Sequence, residues 1–336
     1  MPNAENAALA AALAGFVDPA SGVSLGQLEA VQHAAIEGAR VRVQLRFGYP
    51  VGGYAHELQP GLAAHLAAAG ITAPLDLEVG AGIRAHAVQR QLKPMAGVAN
   101  VVAVASGKGG VGKSSVTANL ATAIAARGFR VGVIDADIWG FSIPRMLGVE
   151  GRLQAAESSG HIAPQVVPVG DGELRVVSMG FLVDDEETAL MWRGLILQRA
   201  VQHFLEDVDW GRDLDYLLID MPPGTGDVQM GLAKMLPRAE MIVVTTPSLS
   251  AQKVAVRAVS MGRQNYLRVL GVVENMSEFV APDGQRFAIF GSGGGRRLSK
   301  TVGAPLLAAI PIENAVADGG DRGSPVALAE GPAADA

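Results

Sequence analysis

The stretch that decides the fold runs from residue 101 to residue 119 and reads VVAVASGKGGVGKSSVTAN. Its first residues, Val101–Ala105, are all apolar and favour a buried parallel strand. Four glycines follow at positions 107, 109, 110 and 112, and after them come Lys113, Ser114 and a helical apolar pattern. A strand, a glycine loop, a Lys-Ser pair and a helix in this order make a P-loop. The backbone N–H groups of such a loop close on phosphate oxygens.

The P-loop pattern predicts the phosphate contacts of ATP residue by residue. Lys113 should reach the β- and γ-phosphates, and the Ser114 hydroxyl should contact Mg²⁺. The other nucleotide-binding positions should be the rest of the loop and the first helical turn, namely Gly107, Lys108, Gly109, Gly110, Val111, Gly112 and Ser115. A glycine-rich turn that binds nothing is the alternative, but the strand before the loop and the helix after it argue against that interpretation.

The apolar pattern divides the 336 residues into two domains. Residues 1–85 follow the order helix, strand, helix, strand, which predicts a small α+β domain, and residues 86–97 read as a linker. Over residues 98–320 apolar strands alternate with helices, so we expect an α/β fold with a doubly wound, mostly parallel sheet. Residues 321–336 are rich in Gly, Ala and Pro, which predicts a flexible tail.

Three carboxylates follow predicted strands of the second domain, where parallel sheets bind their ligands. Asp220 ends an apolar run in the manner of a Walker B strand and should hold Mg²⁺ through water. Asp137 or Asp135 should orient the attacking water and support Mg²⁺, with helix capping as the alternative role. Gly224, in the Pro-Pro-Gly loop after Asp220, should offer its N–H to the γ-phosphate.

Composition excludes several kinds of function. The net charge of −6 and the lack of a long basic run argue against sequence-independent nucleic-acid binding. The sequence contains no cysteine, which excludes disulfides, a cysteine nucleophile and self-supplied thiolate ligands for an iron–sulfur cluster. No apolar run approaches the length of a membrane span. We therefore expect a cytoplasmic protein that binds neither nucleic acid nor a membrane.

These motifs together resemble the Mrp/ApbC-type iron–sulfur carrier ATPases, in the class of MinD, ParA and the nitrogenase iron protein. The resemblance rests on GKGGVGKS at 107–114, DADIWGFSIP at 135–144 and DMPPGTGD at 220–227, with a weaker match, DPASGVSL, at 18–25. It implies a slow ATPase that acts as a homodimer, in which Lys108 reaches the partner's nucleotide. It also implies that Asn275 contacts the adenine and that the loop at Pro311 flanks the base. The catalytic residues implied are Lys108, Lys113, Asp137 and Asp220.

The chain departs from this family at the iron–sulfur site. The family pattern Asn-Met-Ser-x-Phe-x-Cys-x-x-Cys is replaced by NMSEFVAPDG, so the two ligand positions are Ala281 and Gly284. Neither residue can ligate iron, and Asp283 between them is a hard oxygen donor. The resemblance implies a carrier or assembly factor for iron–sulfur clusters. The alternative is a MinD/ParA-like dimerisation switch that recruits a protein or a surface without carrying a cluster.

A further stretch, Met191-Trp-Arg-Gly, resembles the dimer face of the same family. Trp192 and Arg193 could therefore serve an interface or contact the nucleotide. Buried packing is the alternative for both side chains.

Overall fold

The structure is a computed structural model that describes residues 4–47, 54–81, 97–137, 140–155, 161–182, 194–212, 214–236, 239–281 and 283–336. The chain forms two compact units. The first unit comprises Met1–Ala85 with Ser299–Leu306, and the second comprises His86–Leu298 with Leu307–Ala336. The short segment Ser299–Leu306, which the sequence pattern placed in the second domain, therefore belongs to the first unit. Most of the expected linker lies outside the described residues.

The first unit packs two helices on a three-stranded sheet of order β1-β2-β3. Its elements are α1 (Ala4–Gly15), β1 (Val31–Glu37), β2 (Arg40–Phe47), α2 (Tyr54–Ala68) and β3 (Leu75–Ala81). β2 alternates as the sequence predicts, with Val41, Val43, Leu45 and Phe47 buried and the arginines between them exposed. Leucines of α1 and α2, spaced four residues apart, complete this core.

The strand β1 was missed by the sequence interpretation, which expected the order helix, strand, helix, strand. Its residues VQHAAIE do not alternate between apolar and polar, and their burial in the structure is correspondingly irregular. β1 is held as an edge strand by antiparallel pairing to β2, whereas β3 pairs with β2 in parallel. Pairing with β2, rather than the local sequence pattern, therefore makes this segment a strand.

From residue 97 onward the described elements follow the expected alternation of strands and helices. In chain order they are β4 (Val98–Ser106), α3 (Lys113–Ala125), β5 (Arg130–Asp135), α4 (Ile143–Met146), β6 (Gln154–Ala155), β7 (Ile162–Ala163), β8 (Gln165–Val169), β9 (Gly172–Ser178), α5 (Gly194–Glu206), β10 (Leu214–Asp220), α6 (Asp227–Met235), β11 (Glu240–Thr245), α7 (Leu249–Gln264), β12 (Arg268–Glu274), β13 (Phe279–Val280), β14 (Arg286–Phe287), α8 (Gly294–Val302), β15 (Leu306–Ala309), α9 (Asn314–Arg322) and α10 (Pro332–Asp335). Short 3₁₀ turns lie at Met179–Leu182 and Val326–Leu328.

Eight of these strands form one sheet in the order β15-β12-β11-β4-β10-β5-β9-β8. The pairs whose register is described are parallel, except that β8 and β9 form an antiparallel hairpin at the edge. The sheet confirms the expected α/β fold with a mostly parallel sheet. In the register, Asp220 lies opposite Val104 and Asp135, so the carboxyl ends of β4, β5 and β10 meet at one edge.

Helix α3, which follows the P-loop, is held firmly against the sheet. Its small residues Ala118, Ala121 and Ala125 are buried with residues of β5 and β9. Val116, on the other side of the helix, packs with valines of β4, β11 and β12 and with Ile242. Small alanines permit close approach of helix and sheet, so the start of α3 is fixed relative to the strand ends.

The end of the chain contains short helical segments, and the flexibility expected of residues 321–336 stays a prediction. Residues from Asn314 to Arg322 form α9, and the 3₁₀ turn at Val326–Leu328 and α10 follow. The Ala327 N–H donates to Asn119 Oδ1 at 2.9 Å, and the Ala333 N–H donates to Glu313 Oε2 at 2.9 Å. These two hydrogen bonds give the segment fixed partners that composition alone does not reveal.

Candidate functional site

The glycine loop between β4 and α3 has two positions that only glycine fits. Gly107 is buried against α7, and a Cβ there would collide with the backbone of Val254. Gly112 has a φ of +77°, and a Cβ there would collide with the amide nitrogen of Asn275. The loop is therefore shaped by its neighbours α7 and β12 as well as by its own sequence.

A buried ion pair lies at the base of this loop. Lys113 Nζ is 2.6 Å from Asp220 Oδ2, and the two side chains are only 5% and 1% exposed. The Ser114 hydroxyl donates to the same carboxylate oxygen at 2.6 Å. The structure thus brings together three residues that the sequence analysis assigned to phosphate and Mg²⁺. A buried carboxylate without its cation would be strongly unfavourable, so Lys113 and Asp220 depend on one another.

Thr117 is a member of this cluster that the sequence analysis missed. Its hydroxyl lies 2.8 Å from Asp220 Oδ1 and 3.0 Å from the Lys113 carbonyl oxygen, and its side chain is fully buried. A signal was available, because positions 113 and 117 are one helical turn apart and so share a face of α3. Thr117 fixes the carboxylate orientation from the side opposite Ser114.

The oxygen atoms around Asp220 fit a magnesium ion. A carboxylate and a serine hydroxyl are hard oxygen donors, which Mg²⁺ prefers to nitrogen or sulfur. Ser114 and Asp220 already converge on one point, where Ser114 Oγ and Asp220 Oδ2 are in contact. Among the described residues no group of three or more His, Cys, Asp or Glu side chains is arranged to hold a metal by itself. A site of this kind would need phosphate oxygens to complete it.

Asp135 is fully buried, and its carboxylate organises the loop that follows β5. Oδ1 accepts from the Asp137 N–H at 3.2 Å, and Oδ2 accepts from the Ser142 and Ile143 N–H groups and the Ser178 hydroxyl at 3.1–3.2 Å. Burial, followed by the charge of Asp220, raises the pKa of Asp135 from 3.8 to about 7, although Lys113 and the backbone N–H groups oppose this shift.

The structure shows a capping role for Asp135 but leaves the predicted role of Asp137 untested. Asp135 uses both oxygens as a cap for the loop and for the short helix α4, which is the alternative that its sequence position left open. Asp137 is also buried, with 9% of its surface exposed, at the same edge of the sheet. Orientation of water by either residue and support of Mg²⁺ by Asp135 stay predictions.

The loop after Asp220 is tied to the end of β4. The Gly224 N–H, predicted to serve a γ-phosphate, instead donates to the Ser106 carbonyl oxygen at 3.0 Å. The Gln229 side chain, which the sequence analysis did not single out, donates to the carbonyl oxygens of Pro222 and Pro223. A phosphate can therefore gain the Gly224 N–H only if this loop shifts and the bond to Ser106 breaks.

Lys108 lies at the exposed tip of the P-loop. Its carbonyl oxygen accepts a hydrogen bond from the Ser106 hydroxyl at 3.0 Å, which fixes the backbone at this point. Gly109 and Gly110 are exposed beside it. Reach to a partner's nucleotide stays a prediction for this lysine.

Asn275 and Pro311 lie at the carboxyl ends of β12 and β15, on the side of the P-loop away from Asp135. The Asn275 amide donates to the Val111 carbonyl oxygen at 3.0 Å and is 8% exposed. The Ile310 N–H, next to Pro311, donates to the Glu274 carbonyl oxygen at 2.8 Å. Asn275 thus contacts the phosphate-binding loop directly, while contact of either residue with a base stays a prediction.

A cavity of about 310 Å³ lies beside this end of the loop. Its walls come from α3, from β11, β12 and β15, and from the end of the chain, and they are mostly aliphatic. Ser115 and Asn275, both next to the P-loop, are among its lining residues. Cavities of this size and character are typical of small-molecule sites.

The two positions that carry cysteines in the family pattern lie in the turn of the hairpin β13–β14. The Ala281 N–H donates to the Gln285 carbonyl oxygen at 2.8 Å, and the Gly284 N–H donates to the Ala281 carbonyl oxygen at 2.8 Å. Gly284 has a φ of +85°, and a Cβ there would meet nothing within 4 Å. Ala281, Asp283 and Gly284 of this turn offer no thiolate for iron. Trp192 and Arg193 lie outside the described residues.

The P-loop, its buried lysine–aspartate pair and the mostly parallel sheet define a P-loop NTPase. The chain belongs to the NUBPL iron-transfer P-loop NTPase family, whose model matches residues 97–335. Residues 6–70 match a second family model, described as iron–sulfur cluster assembly protein. Both matches confirm the resemblance drawn from the motifs.

Individual relatives agree with this assignment. An iron–sulfur cluster carrier protein of Mycobacterium leprae is 53% identical over 234 residues, which is 68% of this chain but 59% of the relative. A protein of the same name from Synechocystis is 38% identical over 328 residues and covers 95% of this chain and 90% of the relative. The comparisons favour the carrier family over a MinD/ParA-like switch.

Solved structures agree on the fold. The nucleotide-binding protein of Archaeoglobus fulgidus, solved with ADP, is 36% identical, with a TM-score of 0.60 over 70% of this chain and 90% of that one. The septum site-determining protein MinD of Pyrococcus horikoshii, solved with Mg-ADP, is 23% identical, with a TM-score of 0.53 over 71% and 92%. The second likeness shows the fold alone. No helix among the described residues is long and apolar enough to cross a membrane.

Proposed function

We propose that this protein binds and slowly hydrolyses ATP and uses the reaction in the assembly of iron–sulfur clusters. The observation that carries the proposal is the buried cluster at the base of the P-loop. There Lys113, Ser114 and Thr117 converge on the Asp220 carboxylate with atom separations of 2.6–2.8 Å. The family and the solved ADP complex of a relative support the same proposal.

The residues of the site divide the work of phosphate binding. The backbone N–H groups of the P-loop and the N-terminus of α3 would hold the β- and γ-phosphates. When these arrive, Lys113 would exchange part of its contact with Asp220 for the phosphate oxygens, because both are anions. Ser114 and Asp220 would hold Mg²⁺, which neutralises phosphate charge when it is bound. Asp137 would orient the attacking water.

The loop from Asp220 to Asp227 would convert hydrolysis into movement. In the present conformation the Gly224 N–H is bonded to Ser106. Attraction of this N–H to a γ-phosphate would pull the loop away from β4, and loss of the phosphate would let it return. Lys108 is exposed and so is available to a second copy of the chain, which supports action as a homodimer. We further propose that the protein is cytoplasmic.

The cluster itself would be cargo, and this chain does not supply its usual ligands. The sequence has no cysteine, and the hairpin turn presents a methyl group at Ala281 and a hydrogen at Gly284. Soft thiolates are the ligands that iron–sulfur clusters require. We therefore propose that thiolates from another molecule hold the cluster while this chain supplies the nucleotide-driven step.

The experiment is anaerobic reconstitution with iron and sulfide, with and without added glutathione, followed by iron counting and a visible spectrum. ATP hydrolysis is measured on the same sample with and without Mg²⁺. We expect Mg²⁺-dependent hydrolysis, no cluster on the chain alone, and cluster bands only when the thiol is present. Absence of hydrolysis under all conditions would refute the ATPase. Hydrolysis without a cluster, even with thiol, would refute the cargo role as stated.

A further inference from the structure

The loop after Asp220 begins with two prolines close together, which leaves it short of hydrogen-bond donors. Proline has no backbone N–H, so Pro222 and Pro223 offer only carbonyl oxygens to their surroundings. The side chain of Gln229 serves both, because its Nε2 atom donates to Pro222 at 3.0 Å and also to Pro223. Gln229 is 5% exposed and lies in the first turn of α6. One buried amide therefore holds two consecutive carbonyl groups of the loop.

The amide of Gln229 also lies against two glycines of the same loop. A Cβ added at Gly224 would be 3.4 Å from Gln229 Nε2, and one added at Gly226 would be 3.5 Å from Gln229 Oε1. Helix α6 is itself held by the burial of Leu232 and Ala233 and by packing against α5 and α7. The loop therefore lies around a side chain whose own position is fixed.

The peptide group between Pro223 and Gly224 is held at both ends. Its carbonyl oxygen accepts from Gln229, and its N–H donates to the Ser106 carbonyl oxygen at 3.0 Å. A trans peptide is planar, and its C=O and N–H point in opposite directions, so the two groups turn together. Rotation of the N–H away from Ser106 therefore also turns the carbonyl group away from Gln229.

The two backbone angles that such a rotation changes are free to move. They are ψ of Pro223, which the proline ring leaves unlocked, and φ of Gly224. Gly224 has a φ of +104°, and glycine also tolerates the negative values that a rotated peptide would need. The hydrogen bonds to Gln229 and Ser106, rather than backbone sterics, therefore keep this peptide in its present orientation.

We propose that Gln229 is a positioning residue that holds the Pro223–Gly224 peptide in the orientation that withholds the Gly224 N–H from a γ-phosphate. This inference rests on the proposed function, in which that N–H meets the γ-phosphate of ATP. It adds a second contact to the bond with Ser106, and this contact comes from a side chain that substitution can test. ADP lacks the γ-phosphate, so its binding does not require the peptide to rotate.

Two substitutions remove the donor without adding a charge. Gln229→Met keeps the length of the side chain, and Gln229→Leu repeats the test with a different shape. Gln252→Met is the matched control, because Gln252 is also buried, at 6% exposure, and its Nε2 donates to the Pro247 carbonyl oxygen at 2.7 Å. Urea unfolding of all three variants establishes that folded proteins are compared.

The measurement is calorimetric affinity for Mg·ADP and for the Mg²⁺ complex of the β,γ-imido analogue of ATP, which resists hydrolysis. We expect both Gln229 variants to raise the preference for the analogue over ADP about threefold, the contribution of one weak neutral hydrogen bond. The bond to Pro222 is lost with either ligand and so cancels in this ratio. Gln252→Met should leave the ratio unchanged.

The other outcomes overturn the inference in distinguishable ways. An unchanged ratio in both Gln229 variants, with normal binding by the unmodified protein, would refute the role of Gln229 and leave the proposed ATPase standing. A lower preference for the analogue would mean that Gln229 stabilises the phosphate-bound loop instead. An equal rise in Gln252→Met would show that the effect is not particular to this peptide. Failure of the unmodified protein to bind either ligand would refute the proposed ATPase and this inference together.

Discussion

The P-loop and the hairpin β13–β14 differ in whether the side chains that the family pattern requires are present. At the P-loop, every side chain that should meet phosphate or Mg²⁺ is present, and Lys113, Ser114 and Asp220 are already in contact. At the hairpin, the backbone is well formed, but Ala281 and Gly284 replace the two ligands of the family pattern. Backbone shape and ligand chemistry are therefore separable, and a family can keep the first without the second.

The largest expected effect comes from a substitution in the P-loop, where all the expected side chains are present. Lys113→Met should lower kcat for ATP hydrolysis by at least about 100-fold, because it removes the cation that meets the developing phosphate charge. It also leaves the buried Asp220 carboxylate unpaired, which should cost about 3–5 kcal/mol of folding free energy. Steady-state hydrolysis and urea unfolding measure the two effects. Lys253→Met, which removes an exposed lysine of α7, should change neither, and equal effects of the two variants would contradict the assigned role.

The second prediction concerns the hairpin β13–β14 and restores the two cysteines of the family pattern. The double variant Ala281→Cys, Gly284→Cys should bind about one iron–sulfur cluster per two chains after anaerobic reconstitution, since a cluster takes four thiolates. Space is available, because a Cβ at Gly284 meets nothing within 4 Å. Its φ of +85° should cost the variant about 1–2 kcal/mol of stability.

Each single cysteine variant serves as the control for this experiment. Two chains then supply only two thiolates, so we expect iron content to fall close to that of the unmodified protein. Visible absorption and iron analysis read out both. Stoichiometric cluster in a single variant, or none in the double variant, would show that the hairpin is not a latent cluster site.

The P-loop region should also make the free energy of unfolding depend on pH, through the buried carboxylate of Asp135. The folded-state pKa of Asp135 is about 7, against 3.8 for the exposed group, so the folded state holds a proton that the unfolded state has lost between these values. The free energy of unfolding should therefore fall as pH rises through this window, by on the order of 3 kcal/mol between pH 5 and pH 8.

Urea unfolding at a series of pH values, without Mg²⁺ or nucleotide, measures this slope. Asp135→Asn should flatten it, because the titrating group is removed. Asp283→Asn, at the exposed turn of the hairpin, should leave it as it is. A slope that survives Asp135→Asn would assign the pH dependence to another group.

The smallest expected effect tests the residue that sequence reasoning missed. Thr117→Val keeps the shape of the side chain but removes the hydroxyl next to Asp220, and it should lower the free energy of unfolding by about 1–2 kcal/mol. Thr122→Val is a matched control, because Thr122 is equally buried on α3 and its hydroxyl bonds the Ala118 carbonyl oxygen. We expect less than half the effect there. Equal losses would mean that Thr117 has no special contact with Asp220.

The features that sequence could predict are those that short stretches encode. The P-loop and the strand ending at Asp220 each combine a local apolar pattern with its punctuating residues, and the structure shows both. The missed features depend on partners far along the chain. Thr117 meets a residue 103 positions away, and Ala327 meets Asn119 across 208 positions.

The contacts made by the last residues of the chain also depend on distant partners. Gly, Ala and Pro are weak formers of a packed core, so the last residues were expected to be irregular. Two backbone N–H groups, at Ala327 and Ala333, find side-chain acceptors on α3 and next to α9 and fix the segment. Small side chains are what allow it to lie close to α3. Such complementarity between distant surfaces has no signature in a local window of sequence.

Under the proposed function, the exchange of the Gly224–Ser106 hydrogen bond for a bond to the γ-phosphate would set how strongly the protein distinguishes a triphosphate from a diphosphate. Exchange of a hydrogen bond to a neutral carbonyl for one to a charged phosphate contributes about 1 kcal/mol, which corresponds to about a fivefold preference. A preference of this size shifts the population of the two loop conformations only partly, so a single chain would respond in a graded rather than a switch-like manner. Two such loops that respond together would multiply their preferences to about twenty-five-fold, which makes pairing of chains the simplest route to a sharp response.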